Sequence, residues 1–313
     1  MRIFRHYAGI PDSVRGAVVA VGNFDGVHLG HQALFARARE IARQRNAPFA
    51  VMAFEPHPQE YFRPSPESFR LTPFRTKARL IAEAGADALF ALPFDAALAA
   101  KHADEFVRDV LVEALAVSCV VVGEDFQFGK GRSGNTATLA DSGKHYGFGI
   151  EIFGAVAGEG MEKVSSSQIR ALLKAGKPDQ AARLLGRFWA LESRVEHGDA
   201  RGRQIGFPTA NMHLPDTLHP AFGIYAVRAS ILDNDRIVSR HQGVASFGLR
   251  PMFELPQPLF ETYLLDFSGD LYGKHLQVEL VAWLRAEMKL DGLEALKAQI
   301  SRDCAAARAI LAA

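Results

Sequence analysis

The 313-residue chain has few cysteines and no excess of charge of either sign. Its two cysteines, Cys119 and Cys304, lie in apolar or helical runs, so we expect buried free thiols in a reducing cytoplasm. The 36 Lys and Arg residues balance 35 Asp and Glu residues, and this net charge of +1 does not favour nucleic-acid binding. An apolar run long enough to cross a bilayer is also missing, as is the apolar core of a secretory signal. We therefore expect a cytoplasmic protein without a membrane or nucleic-acid partner.

The length is sufficient for two domains, and the pattern of strands and helices changes once along the chain. In the first half, short apolar runs alternate with helical patterns, which predicts an α/β domain with a parallel sheet and helices on both faces. Ligands bind at the carboxyl ends of the strands in such folds. The predicted strands are Val18–Val21, Phe49–Phe54, Ala88–Leu92, Cys119–Gly123 and Ile150–Ala155, with helices near 30–45, 73–85, 103–115 and 136–146.

The second half has the pattern of an antiparallel β-domain. Two short helices are predicted within 166–185, and the last predicted element is an amphipathic helix. Between them, turns rich in Gly, Pro and Asp divide the chain into strands, which predicts a barrel or a sandwich. These strands are expected at 188–197, 223–232, 237–245, 260–267 and 275–284, and the domains at 1–185 and 186–313.

Two histidines lie in the stretch "GNFDGVHLGHQALF", between the first predicted strand and the first predicted helix. His28 and His31 are three residues apart, so one helical turn places them on the same side. The start of a helix favours anions such as phosphate, and imidazoles can donate hydrogen bonds to a phosphoryl group. The alternatives are that the histidines are capping or surface residues, or that they belong to a metal site, for which no third ligand lies nearby in the sequence. The local density of glycine favours close approach of a ligand to Gly22, Gly26 and Gly30.

Two more stretches of the first half allow a functional and a structural interpretation. "VVVGEDFQFGKGRSG" follows a predicted strand, and it is either a loop for a nucleotide or second substrate or a solvated glycine-rich loop. "EKVSSSQIRALL" places serines at a helix start. One of these serines caps the helix, or their hydroxyls and Arg170 hold the pyrophosphate that leaves a nucleoside triphosphate.

In the second half, "HGDARGRQIGFPTANMHL" combines glycines with oxygen ligands. Gly202 and Gly206 allow a phosphate-binding loop, and the side-chain oxygens of Thr209 and Asn211 suit Mg²⁺. The alternative is a surface loop with an Asx turn. Glu261 lies in an apolar strand and shares a face with Tyr263 and Leu265, so it is either a solvent-facing carboxylate or a general base.

Taken in order, these motifs resemble those of the bifunctional prokaryotic riboflavin kinase/FMN adenylyltransferases, the FAD synthetases. The resemblance extends over the whole chain through "VGNFDGVHLGHQ", "FEPHP", "VVGEDFQFGKGRSG", "VSSSQIR", "LLGR", "RGRQIGFPTAN", "GIYAV" and "LLDFSGDLYGK". It implies a Rossmann-like nucleotidyltransferase domain followed by a six-stranded flavokinase barrel with a terminal helix. It also implies riboflavin, FMN, FAD and ATP as ligands, Mg²⁺ as the metal, and a monomer or weak homo-oligomer.

The same resemblance implies roles for individual residues. His28, His31 and Glu261 are the expected catalytic residues, and Thr209 and Asn211 the expected metal ligands. The remaining expected ligands of ATP phosphates are Gly22, Asn23, Phe24, Asp25, Gly30, Ser165, Ser166, Arg170, Gly202 and Gly206, and those of the flavin are Asp125, Phe126 and Arg250. The segment "ASFGLRPMF" departs from the family pattern at Ser246 and Met252, near the flavin end of the kinase site.

The resemblance predicts two reactions in sequence, in which riboflavin is phosphorylated to FMN and FMN is adenylylated to FAD. One alternative is a nucleotidyltransferase that acts on another phosphate or a carboxylate, like an aminoacyl-tRNA synthetase. The near-neutral charge and the barrel motifs disfavour it, because tRNA binding usually requires a basic surface. A flavin-binding protein without one or both activities is the other alternative, and the presence of all the catalytic-type residues disfavours it.

Overall fold

A computed structural model describes residues 1–65, 68–154, 164–197, 202, 205–214, 216–234, 236–249 and 258–312. The chain forms two compact units. The first comprises Met1–Pro66 and Thr72–Ser166, and the second comprises Glu67–Leu71 and Ser167–Ala313. The second unit thus includes the two predicted short helices except for Ser166, while the domain boundary after residue 185 stays a prediction.

The first unit contains a parallel sheet in the order β1-β4-β3-β2-β5-β8 and a separate two-stranded ribbon, β6-β7. Its strands are β1 Arg2–Phe4, β2 Val18–Val21, β3 Phe49–Glu55, β4 Ala88–Pro93, β5 Cys119–Gly123, β6 Gln127–Phe128, β7 Gly134–Asn135 and β8 Gly149–Phe153. Its helices are α1 Leu29–Gln44, α2 Pro58–Phe62, α3 Phe74–Glu83, α4 Ala96–Ala100, α5 Ala103–Glu105 and α6 Thr136–Tyr146, with 3₁₀ turns at Asp12–Val14 and Lys130–Arg132.

Helices cover both faces of this sheet, which confirms the predicted α/β class. Strand β2 shows how the sequence achieves this, because alternate side chains point to opposite faces and all four are apolar. Val18 and Ala20 belong to a core cluster with residues of α1 and α3. Val19 and Val21 belong to a second cluster with α6 and with Phe106–Ala114, a π-helical continuation of α5.

The order of the strands reverses at β2. The chain runs from β2 to β3 and β4 on one side, and then crosses to β5 and β8 on the other. Val21 pairs with Met52 of β3, and Ala20 pairs with Val121 of β5. The loops that follow β2 and β5 therefore leave neighbouring strands at the same edge, where ligands bind in open parallel sheets.

The second unit contains an antiparallel sheet in the order β10-β13-β12-β11-β14-β9. An isolated bridge, in which the Glu196 N–H donates to the Asn211 carbonyl at 2.9 Å, joins its two ends. This arrangement confirms the predicted six-stranded barrel with a terminal helix. The strands are β9 Trp189–Arg194, β10 Ala210–His213, β11 Gly223–Asp233, β12 Arg236–Leu249, β13 Pro258–Leu264 and β14 His275–Arg285, and the helices are α7 Ser166–Lys174, α8 Pro178–Leu185 and α9 Leu293–Ala312.

The interior of the barrel is aromatic. Tyr225, Phe247 and Phe260 are fully buried, and the two phenylalanines pair directly across β12 and β13. On the outside, α9 packs its buried residues Cys304, Ala307 and Leu311 against the sheet. Within the described part of the chain, no helix has both the length and the apolar character needed to cross a membrane.

Candidate active sites

The two histidines predicted to share one side of a helical turn do lie together. His28 is the N-cap of α1, and its Nδ1 accepts a hydrogen bond from the His31 N–H at 3.4 Å. The imidazole rings stack, with their centroids 3.6 Å apart and an angle of 18° between their planes. Because Nδ1 of His28 accepts this hydrogen bond, a proton on the ring is carried by Nε2.

The glycines beside the histidines make room for aromatic rings. A β-carbon on Gly30 would lie 3.2 Å from Cε1 and Nδ1 of His28, so a larger residue would displace that ring. A β-carbon on Gly22 would lie 2.9 Å from the ring of Phe24, which in turn contacts His31 edge to face at 5.2 Å. Phe24 is buried, whereas Asn23 of the same turn is exposed.

The predicted serine loop lies beside this turn. The Ser166 hydroxyl, at the first residue of α7, donates to the Asp25 carbonyl at 2.9 Å. Ser165 is half-buried next to it. Arg170 belongs to the second unit, where its Nε donates to the Phe69 carbonyl at 2.8 Å and its guanidinium lies 4.9 Å from the Phe69 ring centroid.

The loop after β5 carries two of the predicted flavin ligands. The Asp125 side chain is exposed, and its Oδ1 approaches Gly123, where a β-carbon would lie only 3.2 Å away. The half-buried Phe126 stacks on Phe128, with ring centroids 5.4 Å apart and an angle of 17° between the planes. The third predicted flavin ligand, Arg250, lies outside the described residues, as does Met252.

In the barrel, three polar residues form a row across adjacent strands. Glu261 of β13 pairs directly with Asn211 of β10 on one side and with Ser246 of β12 on the other. Directly paired residues point to the same face of a sheet. Glu261 is half-buried and Asn211 is buried, so this face is partly shielded from solvent.

The loop before β10 carries Thr209, the other predicted metal ligand. The Phe207 N–H donates to the Gly202 carbonyl at 2.8 Å, and a β-carbon on Gly202 would overlap the Phe207 carbonyl. Thr209 Oγ1 lies 3.5 Å from the same β-carbon position. Gly206 has a φ of +89°, which favours glycine.

Mg²⁺ fits the chemistry of this donor set. The Thr209 hydroxyl and the Asn211 amide oxygen are hard oxygen ligands, which Mg²⁺ combines with water and phosphate oxygens. Among the described residues, no group of three His, Cys, Asp or Glu side chains is arranged to hold a metal ion.

Glu287 is a carboxylate near this row that the sequence pattern did not single out. Its side chain lies against Gly248 of β12, where a β-carbon would overlap Oε1 of Glu287. Burial raises the pKa of Glu287, the positive charge of Arg285 opposes this rise, and the negative charge of Glu261 adds to it. Since Glu287 follows the last strand, the strand periodicity that identified Glu261 did not include it.

A buried ion pair lies at the end of β3, beside the histidine turn in sheet order. Lys77 Nζ of α3 is 2.8 Å from Glu55 Oε1, and the Lys77 side chain is only 2% exposed. Next to it, His57 caps α2 by accepting from the Gln59 N–H at 3.1 Å. Lys77 occupies a core-facing position of a helix, where a sequence pattern alone predicts an apolar residue.

Comparisons with known proteins match the two halves of the chain to two different enzyme families. A profile of the FAD synthetase family matches residues 10–168, and a profile of the riboflavin kinase family matches residues 185–311. The chain is 42% identical over 293 residues to the bifunctional riboflavin kinase/FMN adenylyltransferase of Escherichia coli (strain K12), covering 94% of this chain and 92% of that protein. The protein of the same name from Pseudomonas fluorescens is 41% identical over 313 residues, covering 100% of this chain and 98% of that one.

A solved structure from Streptococcus pneumoniae, described as a macrolide-efflux protein, has a TM-score of 0.85 and 29% identity, with 98% of each chain covered. The efflux description belongs to that protein alone. What the similarity supports here is the fold of the chain.

Proposed function

Since the chain belongs to the family of bifunctional riboflavin kinase/FMN adenylyltransferases, we propose that the histidine turn performs adenylyl transfer and that the Glu261 row performs phosphoryl transfer. The enzyme phosphorylates riboflavin to FMN with ATP and then adenylylates FMN with a second ATP, giving FAD and pyrophosphate. The assignment of each reaction to its residues is our proposal.

In adenylyl transfer, an oxygen of the FMN phosphate attacks the α-phosphorus of ATP. The bond from that phosphorus to the oxygen bridging to the β-phosphorus breaks, and pyrophosphate leaves. The nucleophile is already an anion, so the task of the protein is to stabilise negative charge. The stacked rings of His28 and His31 lie at the first turn of α1, where the helix N-terminus favours anions, and this placement supports the assignment.

In phosphoryl transfer, the Glu261 carboxylate accepts the proton of the riboflavin 5′-hydroxyl. The hydroxyl oxygen attacks the γ-phosphorus of ATP, the bond to the β,γ-bridging oxygen breaks, and ADP leaves. Asn211, directly opposite Glu261, and Thr209 would hold Mg²⁺, which neutralises phosphate charge when it is bound with ATP. The observation that carries this assignment is the row Asn211–Glu261–Ser246.

The remaining expectations are proposals of the same kind. We place the enzyme in the cytoplasm because both cysteines, Cys119 and Cys304, are free and buried, as in a reducing compartment. A monomer or weak homo-oligomer stays the prediction for its assembly. Arg170, Asp125 and Phe126 keep their predicted ligand roles.

The experiment separates the two reactions by substitution. His28→Ala should abolish FAD formation from FMN and ATP but leave riboflavin phosphorylation unchanged, and Glu261→Gln should do the reverse. Products are separated by chromatography after incubation with ATP and Mg²⁺. His57→Ala, a buried helix-capping histidine, and Glu279→Gln, a half-buried barrel glutamate, are the matched controls. Loss of both reactions in a folded His28→Ala or Glu261→Gln protein would contradict the assignment.

A further inference from the structure

The backbone before the histidines adopts an unusual conformation. Phe24, Gly26 and Val27 have φ values of +51°, +81° and +42°. Glycine tolerates this left-handed region, but Phe and especially the β-branched Val are strained there. Such strain persists only where the surrounding structure fixes the backbone, and it concentrates at functional sites.

One residue from elsewhere in the first unit binds this turn. Thr72 Oγ1 accepts a hydrogen bond from the Gly26 N–H at 3.1 Å and donates one to Asp25 Oδ1 at 3.3 Å. The Thr72 N–H donates to the same carboxylate oxygen at 3.1 Å. Three hydrogen bonds therefore join a single residue, which precedes α3, to the two central residues of the strained turn.

This group is buried. Thr72 and Asp25 are each 3% exposed, so water does not compete well for their hydrogen bonds. The carbonyl of Val27, the next residue toward His28, accepts from Gln32 Nε2 at 2.9 Å. The Asp25 side chain, the Gly26 N–H and the Val27 carbonyl are thus each held by a hydrogen bond immediately before the His28 cap.

We propose that Thr72 is a positioning residue for adenylyl transfer. It does not reach the reacting atoms itself, but it holds the Gly26 N–H and the Asp25 carboxylate so that the turn keeps the stacked rings of His28 and His31 in place for the phosphates. This inference rests on the proposed function of the histidine turn. The chemistry it requires is a hydroxyl that donates and accepts at once, which serine also provides and valine or alanine does not.

The test compares Thr72→Val, which keeps the shape but lacks the hydroxyl, with Thr72→Ser and Thr72→Ala, which differ from each other only in the hydroxyl. Thr217→Val is the matched control, because the Thr217 hydroxyl is also buried and donates to a nearby carbonyl, that of Arg70, in the second unit. For each variant, kcat and KM for ATP and FMN are measured in the adenylylation reaction. Riboflavin phosphorylation by the same sample and circular dichroism monitor the rest of the molecule.

We expect kcat of adenylylation to fall about 10- to 100-fold in Thr72→Val and Thr72→Ala, with smaller changes in KM, because small misplacement of catalytic groups slows chemistry by such factors. Thr72→Ser should retain kcat within about threefold of the unchanged protein, which a role in packing volume alone does not predict. Riboflavin phosphorylation should be unchanged in all three Thr72 variants. Thr217→Val should leave kcat of adenylylation unchanged.

Equal kcat in Thr72→Ser and Thr72→Ala would overturn the proposal, even if Thr72→Val failed to fold. So would a fall in Thr72→Val expressed only in KM. The result for His28→Ala keeps the two proposals apart. If His28→Ala still made FAD, the function of the turn would be wrong; if His28→Ala were inactive and Thr72→Ala fully active, only the role of Thr72 would be wrong.

Discussion

Single residues decide whether the histidine turn can form, and Gly30 is the clearest case. The His28 ring folds back over the start of α1 so that Nδ1 reaches the His31 N–H. A β-carbon on Gly30 would lie 3.2 Å from two atoms of that ring, closer than ordinary van der Waals contact. Gly30 is therefore needed because a side chain would crowd the His28 ring. Its backbone does not itself require glycine, since its φ is not in the left-handed region.

Gly30→Ala should reduce FMN adenylylation by about 10- to 100-fold, because the His28 ring must shift to accommodate the methyl group. Gly154→Ala is the control, as a β-carbon there has no heavy atom within 4 Å. The measurement is kcat/KM for FAD formation in both variants. Full activity of Gly30→Ala would show that the position of the His28 ring is not critical.

The Lys77–Glu55 pair gives a second prediction for single residues, this time on stability. Lys77→Met deprives the Glu55 carboxylate, 12% exposed, of the ammonium 2.8 Å away. Removing one partner of a buried ion pair typically costs about 3–5 kcal/mol. We expect the free energy of unfolding of the first unit to fall by that amount in urea titrations.

The double variant Lys77→Met with Glu55→Gln is the control, because it removes both charges. It should be more stable than Lys77→Met alone, since no carboxylate is then buried beside an apolar side chain. If the double variant were the less stable of the two, the loss would come from packing and not from charge.

At the scale of elements, two ion pairs attach the terminal helix α9 to the barrel. Arg285 of β14 forms a bidentate ion pair with Asp303, with Nη2 2.7 Å from Oδ2 and Nε 2.9 Å from Oδ1. Arg308 also donates two hydrogen bonds to Asp266, from Nη1 and Nη2, but that pair is exposed. Both pairs have two hydrogen bonds, and they differ in burial.

Asp303→Ala should lower the free energy of unfolding of the second unit by about 1.5–3 kcal/mol, the range for hydrogen bonds to charged groups. Asp266→Ala is the matched control and should have a smaller effect, because solvent screens an exposed pair. Denaturant unfolding followed by circular dichroism measures both. Equal losses would mean that burial does not determine the contribution of these pairs.

The elements that the sequence predicted best are those with a strong apolar pattern. Strands β2 and β5 and helix α1 are each specified by apolar residues at regular spacing. Strand β10, Ala210–His213, lies in a stretch interpreted as a loop because glycines and Pro208 precede it. These four residues form a strand because they pair with β13, and their sequence alone does not specify a strand.

The site residues divide in the same way. The motif spacing predicted that His28 and His31 lie together, and strand periodicity predicted that Glu261 is not on a wholly solvent-exposed face. Thr72 and Glu287 could not be found by spacing, because each contacts its partners only in the folded chain. Thr72, for example, lies 46 residues from Gly26 in the sequence. Residues that position a site from a distant segment leave no local pattern.

At the scale of the whole molecule, both units keep their single cysteine inside. Cys119 and Cys304 are 3% and 8% exposed, and burial raises the pKa of each thiol, so little thiolate is present near neutral pH. Both thiols should react with a charged disulfide reagent only after unfolding. Stoichiometric labelling of the native protein within minutes would contradict this expectation.

The central claim for the whole molecule is that two separate sites perform the two reactions and that FMN connects them. The most direct measurement mixes the His28→Ala and Glu261→Gln proteins with riboflavin, ATP and Mg²⁺ and follows FAD by chromatography. Neither protein alone should convert riboflavin to FAD, whereas the mixture should, because the first supplies FMN and the second adenylylates it. A mixture that makes no FAD, or a single variant that converts riboflavin to FAD by itself, would contradict the account.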